Sequence, residues 1–178
     1  AGQSDSTWQL HVQCRVRPVE AGSIELPSEL AQIRVPDNAT EADLSGFYDA
    51  LSSLGVMFGP AFRGLQSAVL GDGEAVGRIS VATCGQGEGA PGAGLHPASL
   101  DACFQVAALV LRSVPGLGDR MYLPVGVGRY VLHGLQAGLD LVCHARLRSR
   151  GADARTVLID LRIEDANGSL VATLQGLR

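Results

Sequence analysis

Lysine is absent from this 178-residue sequence, and aromatic residues make up only 4% of it. All of its 14 basic residues are arginines, which are scattered along the chain and form no basic tract. Because a nucleic-acid surface is built from clustered basic and stacking aromatic side chains, the composition argues against this class of function. A net charge of −4 argues equally against binding to an anionic membrane surface.

Long apolar runs and paired cysteines are missing as well. The longest strongly apolar run, around residues 104–111, is too short to span a bilayer, and no signal-peptide pattern is visible. The 4 cysteines contain no C-x-x-C pair, and the 4 histidines show no zinc-ligand spacing. We therefore expect a cytoplasmic, reducing setting with no disulfide framework and no metal site. The 46% of hydrophobic residues are enough for a packed core.

Periodicity and turn signals divide the first half of the chain into segments. Residues 8–17 alternate between apolar and polar and predict a half-buried strand, which a linker over 19–40 follows. Thr40 with Asp43 three residues later resembles a capping box, so a helix is predicted from there to Gly55. A hairpin is predicted around Gly71-Asp72-Gly73, followed by a glycine-rich surface loop over 85–94.

The second half of the chain predicts a long helix followed by strands. Pro97 suits the first turn of a helix, and Pro115-Gly116 ends the pattern after about Ser113. Because this segment is apolar on nearly all sides, we expect it to be buried within a sheet. Three or four strands are predicted after it, over 122–133, 139–148, 156–164 and 170–176. The order indicates an α+β fold in which an antiparallel sheet wraps a long central helix.

Asp101 and Gln105 are the candidate chemical groups. They lie four residues apart on the predicted helix and therefore share one face, among apolar or small neighbours. Burial disfavours the charged form of a carboxyl, so we expect the pKa of Asp101 to be raised. A neutral acid beside an apolar cleft can protonate a leaving hydroxyl, and Gln105 could orient it. The alternative is that Asp101 only interacts with the N-terminus of the helix.

Four segments carry a resemblance to a known family. Residues 95–105 read L-H-P-A-S-L-D-A-C-F-Q and resemble the H-P-A-L-L-D-A-x-x-Q motif in the second hot-dog of polyketide synthase dehydratases. Residues 55–65 read G-V-M-F-G-P-A-F-R-G-L and are similar to the family's G-Y-x-Y-G-P-x-F-Q-G-L. Residues 123–133 resemble its L-P-F-x-W…L-H strand, and residues 8–11 resemble the closing strand of the first hot-dog. Because the four matches follow the family's order, the sequence is identified as a member of this family.

The resemblance implies a hot-dog fold and a division of the chain into three parts. Residues 1–18 would be the final strand of an otherwise absent N-terminal hot-dog, 19–40 the linker between repeats, and 41–178 the C-terminal hot-dog. The implied reaction is syn loss of water from a 3-hydroxyacyl group on the phosphopantetheine arm of an acyl carrier protein, with no cofactor bound by the domain. Asp101 would protonate the leaving 3-hydroxyl, and Gln105 would assist it.

The resemblance also implies which residues line the substrate channel. They are Phe58, Gly59, Pro60, Phe62, His96, Pro97, Leu123 and Pro124. Some positions depart from the family's motifs, because Val56 and Phe58 stand where tyrosines are usual. Val125 and Val127 likewise replace a phenylalanine and a tryptophan.

The family's general base is missing from this sequence. That base is a histidine in an H-x-x-x-G-x-x-x-x-P motif of the first hot-dog, and none of the 4 histidines lies in such a motif. We therefore expect the chain alone to have negligible dehydratase activity. Two alternatives stay open: a catalytically idle hot-dog that serves structure or carrier-protein docking, and a related isomerase, cyclase or product-template domain.

The partners expected from the sequence are an acyl carrier protein, the missing N-terminal hot-dog and a second copy of the chain. A hot-dog without its twin exposes an apolar edge and face, so we predict a homodimer or a rearranged pairing through residues 8–17. Light scattering at high concentration tests this prediction, and a sharp monomer would contradict it.

Overall fold

A single antiparallel sheet with one long helix against it makes up most of the structure. The computed structural model describes residues 10–20, 24, 26–80, 95–118, 120–134, 140–151 and 155–178. The helices and strands in these ranges are β1 (Thr40–Glu41), α1 (Leu44–Ser53), β2 (Leu65–Gly71), β3 (Glu74–Ser80), α2 (Pro97–Ser113), β4 (Val127–Leu132), β5 (Asp140–Arg150), β6 (Val157–Asp165) and β7 (Leu170–Leu177). Two short 3-10 helices lie at Ser28–Leu30 and Pro60–Phe62.

The sheet has the strand order β1-β2-β3-β5-β6-β7-β4. Neighbours are antiparallel throughout, with tight hairpins between β2 and β3 and between β6 and β7. The first hairpin turns at Asp72-Gly73, where Gly73 has a φ of +68°, as the Gly71-Asp72-Gly73 pattern predicts. β4 precedes β5 in the sequence but lies at the far edge of the sheet beside β7, so the chain crosses over the sheet after α2.

The long helix α2 forms the core together with one face of the sheet. It contacts β2, β3, β5 and β6, and ten of its 17 residues are buried. Val106 and Val110 on the helix and Leu161 and Ile163 on β6 are inaccessible to solvent. The predicted burial of an all-round apolar helix against an antiparallel sheet is therefore confirmed.

The ends of α2 are set by local signals. Pro97 is the first helical residue, and the Nδ1 atom of His96 accepts a hydrogen bond of 3.2 Å from the backbone N–H of Ala98. The helix ends at Ser113, before Pro115 and before Gly116 at a φ of +79°. Both limits agree with the prediction, because Pro fits the first turn and cannot continue a helix.

Two thiols mark the contact between α2 and the sheet. Cys103 on α2 and Cys143 on β5 are both fully buried, and the Sγ atom of Cys143 lies 4.0 Å from the backbone oxygen of Cys103. The hydrogen bond with Cys143, together with burial, raises the pKa of the Cys103 thiol well above its ordinary value. Cys14, in contrast, is exposed.

The prediction of a capping box at the start of α1 is wrong in detail. Asp43 itself is the N-cap, since its side chain accepts a hydrogen bond of 3.0 Å from the backbone N–H of Gly46. Thr40 lies in β1 and pairs with Leu70. The N-cap is Asp43 and not Thr40 because Thr40 pairs with β2 in the sheet. A local sequence pattern does not contain this distant partner. The helix ends just before Gly55, whose φ is +88°, as predicted.

The predicted first strand is not found in the part of it that the structure describes. Residues 10–17 form no strand, and Leu10, Val12 and Val16 are 77%, 79% and 88% exposed. A strand is stabilised by pairing with a neighbour, and no strand in the described ranges pairs with this segment. Trp8 and Gln9, like the predicted loop over 85–94 and Leu139 of the predicted third-from-last strand, lie outside the described residues.

The strands after α2 are confirmed with one correction. β5, β6 and β7 match the predicted limits within two residues, whereas the strand predicted over 122–133 is ordered as β4 only from Val127 to Leu132. Pro124 has no N–H to donate to a ladder, and the N–H groups of Val125 and Gly126 both donate to the backbone oxygen of Arg178. The chain therefore joins the sheet later than the alternating pattern suggests.

The segment predicted as a linker crosses the face of the sheet that lies away from α2. Leu30, at the end of the first 3-10 helix, is 1% exposed. The Nη1 atom of Arg162 on β6 donates a hydrogen bond of 2.8 Å to its backbone oxygen. Within the ranges described above, no helix is both long and apolar enough to cross a bilayer.

We predict that Gly77 on β3 is required for the close approach of α2. A Cβ at this position would lie 2.5 Å from Cγ2 of Val106 and 2.9 Å from Cδ1 of Leu65. Val106 is β-branched and buried, so it cannot move away. Gly77→Ala should lower the free energy of unfolding by about 1–3 kcal/mol in urea titrations followed by circular dichroism.

The double variant Gly77→Ala/Val106→Ala provides the control. Because the smaller side chain at 106 makes room for the new methyl group, its loss of stability should be smaller than the sum of the two single losses by about 1 kcal/mol. Strictly additive losses would contradict a steric contact between these positions.

Candidate active site

Asp101 and Gln105 lie on consecutive turns of α2 and contact each other. The Nε2 atom of Gln105 donates a hydrogen bond of 2.8 Å to Oδ2 of Asp101. Gln105 is buried, with 3% of its surface exposed, whereas Asp101 is only partly buried. The helix therefore brings the two polar side chains together as their four-residue spacing predicts.

The amide of Gln105 also binds two groups from the segment before α2. Its Nε2 atom donates a second hydrogen bond, of 2.8 Å, to the backbone oxygen of Phe62. Its Oε1 atom accepts a hydrogen bond of 2.8 Å from the hydroxyl of Tyr48 on α1. Both N–H groups and the carbonyl of this buried amide are thus satisfied, as a buried polar group requires.

Tyr48 is held between rings and a cation. Its ring packs against Phe47 at 5.3 Å and meets the edge of Phe58 at 5.9 Å, measured between ring centroids. The guanidinium carbon of Arg63 lies 5.0 Å from the centre of the Tyr48 ring, and Nε of Arg63 donates to the backbone oxygen of Phe58 at 3.1 Å. These contacts tie α1 to residues 58–63 and fix the hydroxyl that faces Gln105.

Burial controls the ionisation of Asp101. Desolvation raises the pKa of its carboxyl above the ordinary value, and the hydrogen bond from Gln105 lowers it part of the way back. Oδ1 of Asp101 makes no hydrogen bond within the described ranges, so the second oxygen is open to a ligand. The N-cap of α2 is His96 and not Asp101, and the alternative that Asp101 only interacts with the N-terminus of the helix stays a prediction.

An apolar cleft follows the same side of α2. Its volume is about 460 Å³, and it lies between α2, residues 120–125 and the ends of β6 and β7. Phe104 and Ala108 line it, three and seven residues after Asp101, so they continue the helix face on which the carboxyl lies. The cleft can hold an apolar chain of moderate length.

The structure places the predicted substrate-binding residues in three different surroundings. Phe58 contacts Tyr48, and Phe62 offers its backbone oxygen to Gln105 while its side chain is 43% exposed. Leu123 and Pro124 line the apolar cleft, of which Asp101 is not a lining residue. The remaining predicted residues have these positions: Gly59 and Pro60 are exposed at the start of the second 3-10 helix, His96 caps α2, and Pro97 is exposed in its first turn.

Tyr48 and Arg63 are site residues that the sequence analysis missed. Tyr48 is partly buried, and a buried phenol needs a hydrogen-bond partner. That requirement was the available signal. Its partner Gln105 is 57 residues away, a pairing that no local pattern specifies. In the described residues, no group of three or more His, Cys, Asp or Glu side chains is arranged to hold a metal ion.

The comparison with known protein families decides the classification. Residues 27–178 match the family described as the polyketide synthase dehydratase N-terminal domain. The chain belongs to the polyketide synthase dehydratase family. The family's description names an N-terminal domain, so the assignment of this chain to the second hot-dog rests on its sequence motifs.

Curated relatives agree with this family membership. The chain is 30% identical over 185 residues to polyketide synthase GfsE of Streptomyces halstedii, an alignment that covers 99% of this chain and 4% of the relative. It is 32% identical over 175 residues to the spectinabilin polyketide synthase system protein NorB of Streptomyces orinoci, covering 96% of this chain and 7% of the relative. The chain thus spans less than a tenth of each of these proteins.

Solved structures show the fold. The erythromycin dehydratase has a TM-score of 0.63 at 28% identity, over 89% of this chain and 50% of that chain. The dehydratase domain of the CurJ module of the curacin polyketide synthase has a TM-score of 0.67 at 21% identity, over 85% of this chain and 51% of that chain. The predicted α+β hot-dog fold is confirmed, and the chain spans about half the length of these dehydratases.

We predict that replacing Asp101 by the neutral Asn stabilises the chain at neutral pH. Because the native pKa of Asp101 is raised, its protonated form stabilises the fold fully below the unfolded pKa, and this contribution is lost as the pH rises through the native pKa. At pH 7, Asp101→Asn should therefore be more stable than the wild type, by less than about 1.4 kcal/mol for each unit of upward shift, because solvent screens the partly exposed carboxyl.

Urea titrations at several pH values check this prediction. The advantage of Asp101→Asn should disappear below about pH 3.5, where the wild-type carboxyl is protonated in both states. Asp72→Asn, at the exposed turn between β2 and β3, removes a carboxyl elsewhere and is the matched control. A wild type that is more stable than Asp101→Asn at pH 7 would show that the ionised carboxylate is well accommodated.

Proposed function

We propose that this chain is the C-terminal hot-dog of a dehydratase that removes water from 3-hydroxyacyl thioesters carried by an acyl carrier protein. The observation that carries the proposal is the partly buried Asp101, paired with Gln105 and raised in pKa, on a helix that also lines an apolar cleft. Family membership supports the class of reaction. The motif around Asp101 supports the assignment to the second hot-dog.

Asp101 acts as the general acid in the proposed reaction. A base removes a proton from the carbon next to the thioester carbonyl, and the electrons of that C–H bond form the new double bond. The C–O bond at the 3-position breaks, its electron pair stays on oxygen, and Asp101 supplies the proton that makes water the leaving group. The products are water and a 2-enoyl thioester, and no redox cofactor is needed for this balance.

The cleft favours an acyl chain as the bound part of the substrate. Its walls include Phe104, Ala107, Leu123 and Val125, which offer apolar contacts to methylene and methyl groups. A phosphopantetheine arm would deliver the acyl chain, so the proposed partner is an acyl carrier protein. The proposed reaction needs no cofactor bound at this site.

The general base belongs to the other half of the dehydratase in this proposal. His96 caps α2, His133 faces Thr173 at 3.0 Å, and His144 faces Glu74 at 2.9 Å. His11 is exposed on a segment without secondary structure. None of these histidines is hydrogen-bonded to Asp101, which favours an acid without a base in this chain. We therefore propose that the chain alone is inactive.

An assay of the joined halves tests the proposal. The chain is produced together with a dehydratase N-terminal hot-dog half, given a 3-hydroxyacyl pantetheine thioester, and followed by mass spectrometry for loss of water. The joined protein should form the 2-enoyl product, and Asp101→Asn should slow this by about 10²–10⁴-fold, the usual contribution of a general acid. Asp72→Asn should leave the rate unchanged.

The same assay addresses the alternative of a catalytically idle docking module. A folded, joined protein that binds the thioester without losing water would favour that alternative. Unchanged turnover in Asp101→Asn would remove Asp101 from the mechanism. Formation of a shifted double bond or a ring instead of the 2-enoyl product would point to a related isomerase or cyclase.

A further inference from the structure

The amide of Gln105 is fixed at both of its ends. The backbone oxygen of Phe62 can only accept a hydrogen bond, so the Nε2 end must face it, at 2.8 Å. The opposite end, Oε1, receives the hydroxyl of Tyr48 at 2.8 Å. A flipped amide would place two carbonyl oxygens against each other, and an amide without Tyr48 would leave a buried acceptor unsatisfied. The two contacts together select one orientation.

This orientation makes the two oxygens of Asp101 different. Nε2 of Gln105 donates to Oδ2, so Oδ2 is occupied as an acceptor. In a neutral carboxylic acid the carbonyl oxygen is the better acceptor, and the proton therefore lies on the other oxygen, Oδ1. Oδ1 has no hydrogen-bond partner among the residues that the structure describes, so its proton is free to face a ligand.

We propose that Tyr48 is a positioning residue that holds the Gln105 amide in this orientation, so that Oδ1 of Asp101 is the oxygen that carries and delivers the proton. The delivery step rests on the function proposed above. When Oδ1 gives its proton to the departing hydroxyl, the negative charge left on the carboxylate is stabilised at Oδ2 by the N–H of Gln105. In this arrangement Tyr48 acts on Asp101 through its hydrogen bond to Gln105.

The surroundings of Tyr48 fit a positioning role. Its ring is held by Phe47 and Phe58, and the guanidinium of Arg63 lies over it while also binding the backbone of residue 58. The hydroxyl is therefore presented from a fixed ring and not from a freely rotating side chain. Removing only this hydroxyl is a small change that leaves the ring contacts in place.

The charged and titratable groups around the pair do not change charge where Asp101 titrates. They are the phenol of Tyr48, the thiols of Cys103 and Cys143 and the guanidinium of Arg63, and groups of these kinds ordinarily titrate far above a carboxyl. Apart from Cys143 on β5, the core residues of β2, β3 and β5 against α2 are apolar. A change in the titration of Asp101 after a change at Tyr48 is therefore transmitted through the hydrogen bonds of Gln105.

Carbon-13 NMR of the Asp101 carboxyl in this 178-residue chain tests the proposal. Tyr48→Phe should raise the pKa of Asp101 by about half a unit or more, because a loosened Gln105 donates less to the carboxylate. Gln105→Leu should raise the pKa further, since the donor is lost. Adding Tyr48→Phe to Gln105→Leu should then produce no additional shift. Tyr130→Phe removes a phenol hydroxyl from β4 and should leave the titration unchanged.

An unchanged Asp101 titration in Tyr48→Phe would overturn the proposal, as would an equal shift in the Gln105→Leu background. Should Tyr48→Phe fail to fold, the wild-type chain still decides: both side-chain N–H protons of Gln105 should be protected from exchange with solvent, and rapid exchange would overturn the proposal. In the joined dehydratase, Tyr48→Phe should lower kcat with KM unchanged. An inactive joined protein with the expected NMR shifts would reject the dehydratase function but keep the role of Tyr48.

Discussion

The burial of helix α2 against the sheet is the constraint on which the site depends. An apolar helix with solvent on few sides leaves little freedom to a polar side chain that it carries, because each polar atom must find a partner where the backbone has placed it. Gln105 meets this requirement with three hydrogen bonds to groups from three parts of the chain. A typical hydrogen bond adds only about 1 kcal/mol to stability, but an unmet buried group costs more than that. The orientation of Gln105 is therefore specified more by the cost of leaving one of its buried polar atoms without a partner than by the stability that its hydrogen bonds add.

Two opposing effects of the same environment act on the ionisation of Asp101. Desolvation disfavours the carboxylate, and the N–H of Gln105 favours it. A fully buried carboxyl without a donor would hold its proton too tightly to transfer it, and an exposed carboxyl would already have lost it at neutral pH. Partial burial with one donor lies between these limits, as the proposed role of a proton donor requires.

Much of the fold could be predicted because its signals are local. Pro97, Pro115 and the Asp72-Gly73 turn set element ends without reference to the rest of the chain, and the predicted limits of α2 were correct. The errors arose where a distant partner decides. Residues 10–17 alternate like a strand but find no neighbour among the described residues, and β4 was placed at the sheet edge by pairing with β7.

The candidate site, like the fold, has a part that local sequence signals predict and a part that depends on distant residues. Asp101 and Gln105 were predicted because four residues on a helix fix their contact. The contributions of Tyr48 and of the Phe62 backbone could not be predicted, since they lie 57 and 43 residues from Gln105 and meet it only through tertiary packing. A backbone carbonyl also leaves no trace in the identity of its residue. The sequence therefore specified the contact between Asp101 and Gln105 but not the groups that hold Gln105 in place.

The two thiols between α2 and β5 can report how often the helix separates from the sheet. Cys103 and Cys143 are sealed from solvent, whereas Cys14 is exposed. An alkylating reagent needs an accessible thiolate, so it would modify Cys14 at once and the inner pair only while the helix is lifted from the sheet. The slow alkylation of Cys103 and Cys143 would thus time the opening of the contact between β5 and the helix that carries Asp101, in the native protein and without a substitution.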